Sequence, residues 1–301
     1  MTQEDMTSTT TTSVPFKMGK WKASKTIVRE SWGLLKQDKE IVWFPVLSAL
    51  VSLAVFAIAS LAFFVWGLGG NLANADTFGE GASDAIWYIA ILIYYLIVFF
   101  IANFFQAAVF TVVHARMNGQ NLSFGEGMSG ATKNIGKIFV WSLISATVGM
   151  ILNIIADKLK FLGKILAIIL GAAWNILTYF SLPSLVIGQT SITGSFKESA
   201  ALIRKTWGES AIVNFGVGLF FGILIILGFV ICFGISIYAQ TLAVYITMSA
   251  IFVVFVIILM LISSTLSSIF KLALYEYART GKVPNGFSEG LIKNAITSKK
   301  K

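Results

Sequence analysis

One cysteine, one histidine and four prolines in 301 residues remove several chemistries at once. Cys232 has no partner for an intramolecular disulfide and cannot build a cysteine-based zinc site. His114 alone offers no imidazole cluster for a metal or a proton relay. No catalytic constellation of nucleophile, base and acid stands out, and no strand pattern exists to carry a phosphate-binding loop. No enzymatic activity and no cofactor are expected.

Charge is the larger deficit. Asp, Glu, Lys and Arg make up 12% of the chain, about half the ~25% of ordinary globular domains. Residues 41–67, 85–113, 138–156, 165–187 and 210–270 carry no charge at all. A helix crosses the hydrocarbon core in about 20 residues at 1.5 Å each. The first four runs therefore predict one crossing each. The last is too long for one and predicts two, with a turn near Tyr238, Gln240 and Thr241. A membrane barrel would show short alternating segments instead. The fold class is an all-α membrane protein with six transmembrane helices.

Basic residues sort by side. Both termini and the even-numbered loops hold twenty of the 23 Lys and Arg; residues 68–84, the 3–4 loop and the 5–6 loop hold the other three. This predicts cytoplasmic N- and C-termini in a cell membrane. The formal charge of +9 is then explained by topology, and no nucleic acid partner is implied. The polar stretch before span 1 does not have the form of a cleavable signal peptide.

What the chain does contain is a recurring motif. WKASKTIVRESWG at 21–33 returns as FKESAALIRKTWG at 196–208, and shorter echoes, FGEG and FSEG, begin at Phe124 and Phe287. Lys22/Lys197, Ser24/Ser199, Arg29/Arg204, Trp32/Trp207 and Gly33/Gly208 align without a gap. At about 100° per residue, Trp21, Val28, Trp32 and Leu35 share a face, widened by Ile27 and Leu34. Lys22, Lys25, Arg29 and Lys36 border it. Such a helix lies in the membrane interface, aromatics at headgroup depth and basic stems reaching phosphates. The expected lipid-interface residues are Trp21, Lys22, Arg29, Trp32, Phe196, Lys197, Arg204 and Trp207. The expected architecture is three parallel repeats of interfacial amphipathic helix plus transmembrane hairpin. In domain terms, 1–19 is a disordered tail, 20–286 the six-helix domain, and 287–301 a C-terminal amphipathic helix with a basic tail. Ser123 with Glu126, and Ser195 with Glu198, fit capping boxes; Gly286 with Glu289 keeps the glutamate.

Residues 21–50, with Lys36, Asp38, Lys39 and Glu40 at a turn and Phe44–Pro45 leading into span 1, resemble the opening of an uncharacterised prokaryotic family of six-helix membrane proteins. More distantly, the helix-plus-hairpin repeat is similar to the membrane domains attached to some bacterial glycerophosphodiester phosphodiesterases. The first resemblance implies architecture only. The second implies chemistry on a separate soluble domain, which is absent from these residues.

Inside the spans the polarity is neutral: Asn103, Gln106, Asn153, Asn175, Asn214 and a serine-rich stretch from Ser263 to Ser268. No Asp, Glu, Lys or Arg is expected deep in a span. Interhelical hydrogen bonding explains these amides, and a polar cavity lined by Asn103, Gln106, Asn153 and Asn175 is the functional reading. Gly218 and Gly222 suggest close helix packing, and Pro183 a kink with a freed carbonyl at Tyr179. The expected function is a non-enzymatic membrane scaffold or regulatory protein whose basic rim binds anionic lipid headgroups and other membrane proteins. The alternative is a carrier or pore for a small neutral or amphipathic solute.

The topology is open to a direct check. An impermeant reagent applied to intact cells should label cysteines placed in residues 68–84, and should label both tails only after lysis. External labelling of residues 299–301 would rule the topology out.

Overall fold

A computed structural model describes residues 20–70, 80–206 and 217–296. The predicted tail 1–19, most of the 68–84 loop, Trp207, Asn214 and residues 297–301 lie outside these. The elements are α1 Lys20–Gln37, a 3₁₀ turn Lys39–Val42, α2 Trp43–Gly70, α3 Glu80–Met117, α4 Phe124–Lys133, α5 Ile135–Lys158 and α6 Lys160–Leu177. They continue with α7 Ser181–Val186, α8 Ile192–Thr206, α9 Val217–Ala239, α10 Leu242–Thr280 and α11 Glu289–Ile296. Among the described residues there is no strand. Among the described residues six stretches are long and apolar enough to cross a bilayer, in the 3₁₀ turn with α2, in α3, α5, α6–α7, α9 and α10. The chain is a multi-pass membrane protein.

The 61-residue charge-free run divides where expected. α9 stops at Ala239 and α10 starts at Leu242, with Gln240 in the left-handed region at φ 51. α10 then runs for 39 residues, about 58 Å. It passes the first charge, Lys271, and ends only at Gly281, whose φ of 73 forms the C-cap.

Other local signals resolve differently from their sequence reading. Pro183 does not kink a continuous helix. α6 ends at Leu177, and the backbone restarts at Ser181 with Pro183 as the third residue of α7, where a helix needs no amide donor. Glu198 is not a capping residue. α8 begins at Ile192, its first turn closed by Ser191 Oγ accepting from Gly194 N–H at 3.1 Å, so Ser195 and Glu198 both fall inside the helix. The Ser123–Glu126 box does form, at the head of α4. Added Cβ atoms at Gly218 and Gly222 would meet nothing within 4 Å, so these glycines mark no close approach.

The packed core is concentrated at one end. Ile41, Phe44, Ala107, Ala108, Phe110, Val113, Leu266, Ile269, Leu272 and Leu274 are fully buried there. At the other end Leu53, Ile58, Phe64, Ile89, Ile226, Val230, Ile246 and Val253 are exposed, as lipid-facing side chains are. α3 is central, packing on α2, α4, α5, α7 and α10. The stripe of α1 that carries Ser24, Ile27, Ser31, Leu34 and Leu35 is buried, and α1 packs on α9, α10 and α11. Ile27, Leu34 and Leu35, expected on the membrane side, therefore face protein. Trp21 and Trp32 flank that stripe and stay exposed.

Charged and polar groups join the helix ends at the packed end. Arg116 Nη2 donates to Asp38 Oδ2 at 3.2 Å and also to Asn121 Oδ1. Phe124 N–H donates to Glu40 Oε2 at 3.0 Å. Asn285 Nδ2 donates to Met117 O at 2.8 Å, and Ser288 donates through N–H and Oγ to Glu30 at 3.0 and 2.7 Å. The α1–α2 turn, the α3–α4 turn and the start of α11 are thereby one unit.

α4 seats against α2 and α3 through Gly127. A Cβ there would lie 2.6 Å from Val112 Cγ2 and 2.8 Å from Phe44 Cζ, with Ala108 O at 3.4 Å. Gly127→Ala should lower stability by about 1–3 kcal/mol, the usual range for overpacking. Gly136→Ala, with open space around it, should be neutral or stabilise by up to about 1 kcal/mol. Thermal unfolding in detergent compares the two, and equal midpoints would refute this seat.

Candidate functional site

A cavity of about 370 Å³ lies between α3, α5, α6 and α10. Its wall contains Asn103 and Gln106 from α3, Asn175 from α6, Thr178 and Tyr179 beyond α6, and Lys271 from α10. Asn103 and Gln106, one turn apart, project toward it from the same side of α3. Each also ties α3 to a neighbour through its amide nitrogen. Asn103 Nδ2 donates to Ser142 Oγ at 3.0 Å, and Gln106 Nε2 donates to Ser268 Oγ at 3.4 Å. Ser142 passes its own proton back to Ile138 O at 2.8 Å. The two amides thus serve structure and line space together. Asn153 stands apart from the cavity, donating to Tyr95 Oη at 3.4 Å.

One side of the wall is aromatic. Trp141 and Trp174 stack with centroids 6.2 Å apart. Phe196 from α8 packs on both rings at 4.9 and 5.6 Å. Phe196 is thus half-buried against protein, where a headgroup-facing ring was expected. Two glycines keep the space open. An added Cβ at Gly149 would lie 3.5 Å from Phe99 Cε2, and one at Gly171 3.5 Å from Leu152 Cδ1; both are ordinary contacts, so larger side chains there would grow into the cavity.

Lys271 was missed by sequence because the charge-free run stops at Phe270. The signal that finds it is the absence of any breaker before Gly281, which carries the helix nine residues past the lysine. The ammonium lies 4.8 Å from the centroid of the Tyr179 ring, within cation–π range. Among the described residues no carboxylate pairs with it. Lys271 stands about 43 Å along α10 from the far face, at the packed-end edge of a ~30 Å hydrocarbon layer.

These positions fall inside the segment that identifies the chain. It belongs to DUF6159, a family of unknown function whose model matches residues 85–287. No curated protein and no solved structure matches it. The matched segment holds the whole cavity wall and excludes α1, together with residues 21–50, on which the prokaryotic resemblance rests.

The exposed rim carries the other predicted residues. Lys22, Lys25, Arg29 and Lys36 are exposed on α1 beside Trp21 and Trp32, and Lys197 and Arg204 are exposed on α8. Trp21 lies stacked on Phe220 at 5.7 Å while keeping 47% of its surface exposed. At the head of α4 the backbone N–H and Oγ of Ser123 both donate to Glu126 Oε2 at 2.8 Å. They hold that carboxyl below its ordinary range, the backbone donor contributing most.

A second polar cluster joins α3, α7, α8 and α10. His114 Nδ1 lies 3.0 Å from Glu276 Oε1. Asn118 Nδ2 sits 3.4 Å from His114 Nε2 and donates to His114 O at 2.8 Å. Glu198 accepts from Ser184 Oγ and from Tyr275 Oη at 3.4 Å, with Arg279 Nε 4.0 Å away. Among the described residues no three His, Cys, Asp or Glu side chains are grouped to hold a metal ion.

Removing the two amides separates their roles. Asn103→Leu with Gln106→Leu should lower stability by about 1 kcal/mol per lost bond or less and leave the helices assembled. Unchanged or raised stability in a detergent melt would show that the amides serve the cavity alone.

Proposed function

We propose that this is a non-enzymatic cell-membrane protein whose basic, tryptophan-bearing rim engages anionic lipid headgroups, as a scaffold or regulatory component for other membrane proteins. In this reading both termini are cytoplasmic and the packed end is the inner one. The observation that carries it is the outer side of α1. Trp21 and Trp32 stay exposed among Lys22, Lys25, Arg29 and Lys36, although α1 buries its other side in the core. Amphipathic rings and basic stems at one level suit the headgroup layer.

The order of the elements supports three copies of one unit. α1, α4 and α8 each precede a hairpin, α2–α3, α5–α6 and α9–α10, and α11 stands as a fourth short helix. The aligned serines Ser24 and Ser199 are both fully buried, as equivalent positions would be. Similarity to the phosphodiesterase membrane domains rests on this repeat alone and brings no chemistry with it.

The cavity favours a second reading, carriage of a small amphipathic solute. Its 370 Å³ falls within the ~300–1,000 Å³ of small-molecule sites, and it joins polar and apolar walls.

Lipid engagement predicts a salt-sensitive preference. The purified protein, equilibrated with mixed vesicle lipid, should retain anionic over zwitterionic lipid in its annulus. Replacing Lys22, Lys25, Arg29 and Lys36 together by Gln should reduce that enrichment severalfold, and high salt should do the same. Identical annular composition in wild type and variant would refute the rim reading.

A further inference from the structure

We propose that the cavity between α3, α5, α6 and α10 is a binding site for an anionic, single-chain amphiphile, whose acidic head meets Lys271 and whose tail lies toward the bilayer centre. This deepens the carriage reading and rests on it.

Three features of the site point the same way. The first is charge. Lys271 borders the cavity with its ammonium over the Tyr179 ring, and among the described residues no carboxylate neutralises it. Pairing with a ligand anion supplies what the protein withholds, because a charge drawn away from water is tolerated when paired and hydrogen-bonded.

The second is the polarity gradient. α3, α6 and α10 run toward the packed end, and α5 runs away from it. Gln106, Thr178, Tyr179 and Lys271 therefore lie at the packed-end level of the cavity. Phe99, Val148, Leu152 and Gly171 lie about two turns farther out. A head region and a tail region succeed each other along one axis, matching a molecule with a charged end and a chain.

The third is the donor supply. The amide of Asn175 and the second N–H of Asn103 and of Gln106, beyond the one each gives to a serine, sit within the same wall alongside the cation, whereas Thr178 gives its only proton to Trp174 O at 2.7 Å. Donors gathered around one positive charge suit the oxygens of a carboxylate or phosphate ester. A neutral solute would leave the ammonium unpaired.

The test uses the full chain in detergent, with dodecyl phosphate, dodecanol and inorganic phosphate as probes in equilibrium binding. Wild type should bind dodecyl phosphate at least about tenfold more tightly than dodecanol, the scale of one charge-assisted contact. Lys271→Met should erase that preference and leave dodecanol binding in place, while Lys271→Arg should keep it. Gly171→Phe should abolish binding of both chains by filling the tail region. Unfolding midpoints establish that each variant is folded.

Dodecanol bound as tightly as dodecyl phosphate by wild type would overturn the charge assignment while leaving an amphiphile cavity. So would a preference that survives in folded Lys271→Met. Inorganic phosphate competing as well as dodecyl phosphate would overturn the amphiphile in favour of a free anion. No binding of either chain to wild type would overturn the carriage reading, and this inference with it.

Discussion

A helix that crosses hydrocarbon satisfies its own backbone everywhere except at its two ends. The arrangement of this protein follows from how one set of those ends is handled. Asp38 and Glu40 lie at the α1–α2 turn and Glu30 within α1, and each accepts from a group at the end of another helix: Arg116, the Phe124 amide and Ser288. With these contacts in place α1, α4 and α11 are held against the bundle. The buried apolar residues of α3 and α10 then have something to pack on. Away from that end, side chains of the long helices are exposed, and lipid takes the place of a core.

The same asymmetry explains where a cavity can exist. At the densely packed end, adding one carbon at Gly127 already meets two side chains. Farther out, between the second hairpin and α3, Gly149 and Gly171 leave room. The aromatic pair Trp141–Trp174, braced by Phe196, holds that wall in place. The break between α6 and α7 matters here too. It carries Thr178 and Tyr179 into the cavity wall, and Tyr179 meets Lys271.

Much of this was legible in the residues, for reasons that can be named. Absence of charge over long runs fixes the spans, because lipid tolerates few exceptions. The turn at Gln240 was readable for the same reason, since 61 residues cannot cross once. Amides are rare enough in spans to stand out, which grouped Asn103, Gln106, Asn153 and Asn175, but rarity does not tell direction, and Asn153 turns to Tyr95 outside the cavity that the other three line. The failures share a cause as well. A helix ends where its backbone is capped and not where its hydropathy falls, so Lys271 was assigned to the tail. Glu198 was assigned to a cap because its spacing from Ser195 fits one, whereas its partners Ser184 and Tyr275 come from other elements and leave no local trace. Along α1, periodicity identified the apolar residues correctly, but period alone does not say whether a stripe meets lipid or protein.

The links at the far face are very short. α5 and α6 are joined through Leu159, and α9 and α10 through Gln240 and Thr241. Between them, these two hairpin tips offer water almost no polypeptide. At either of these two tips a protease, an antibody or a soluble binding protein finds almost no chain to grasp. Recognition at these two hairpins therefore has to reach the helix ends through the lipid around them.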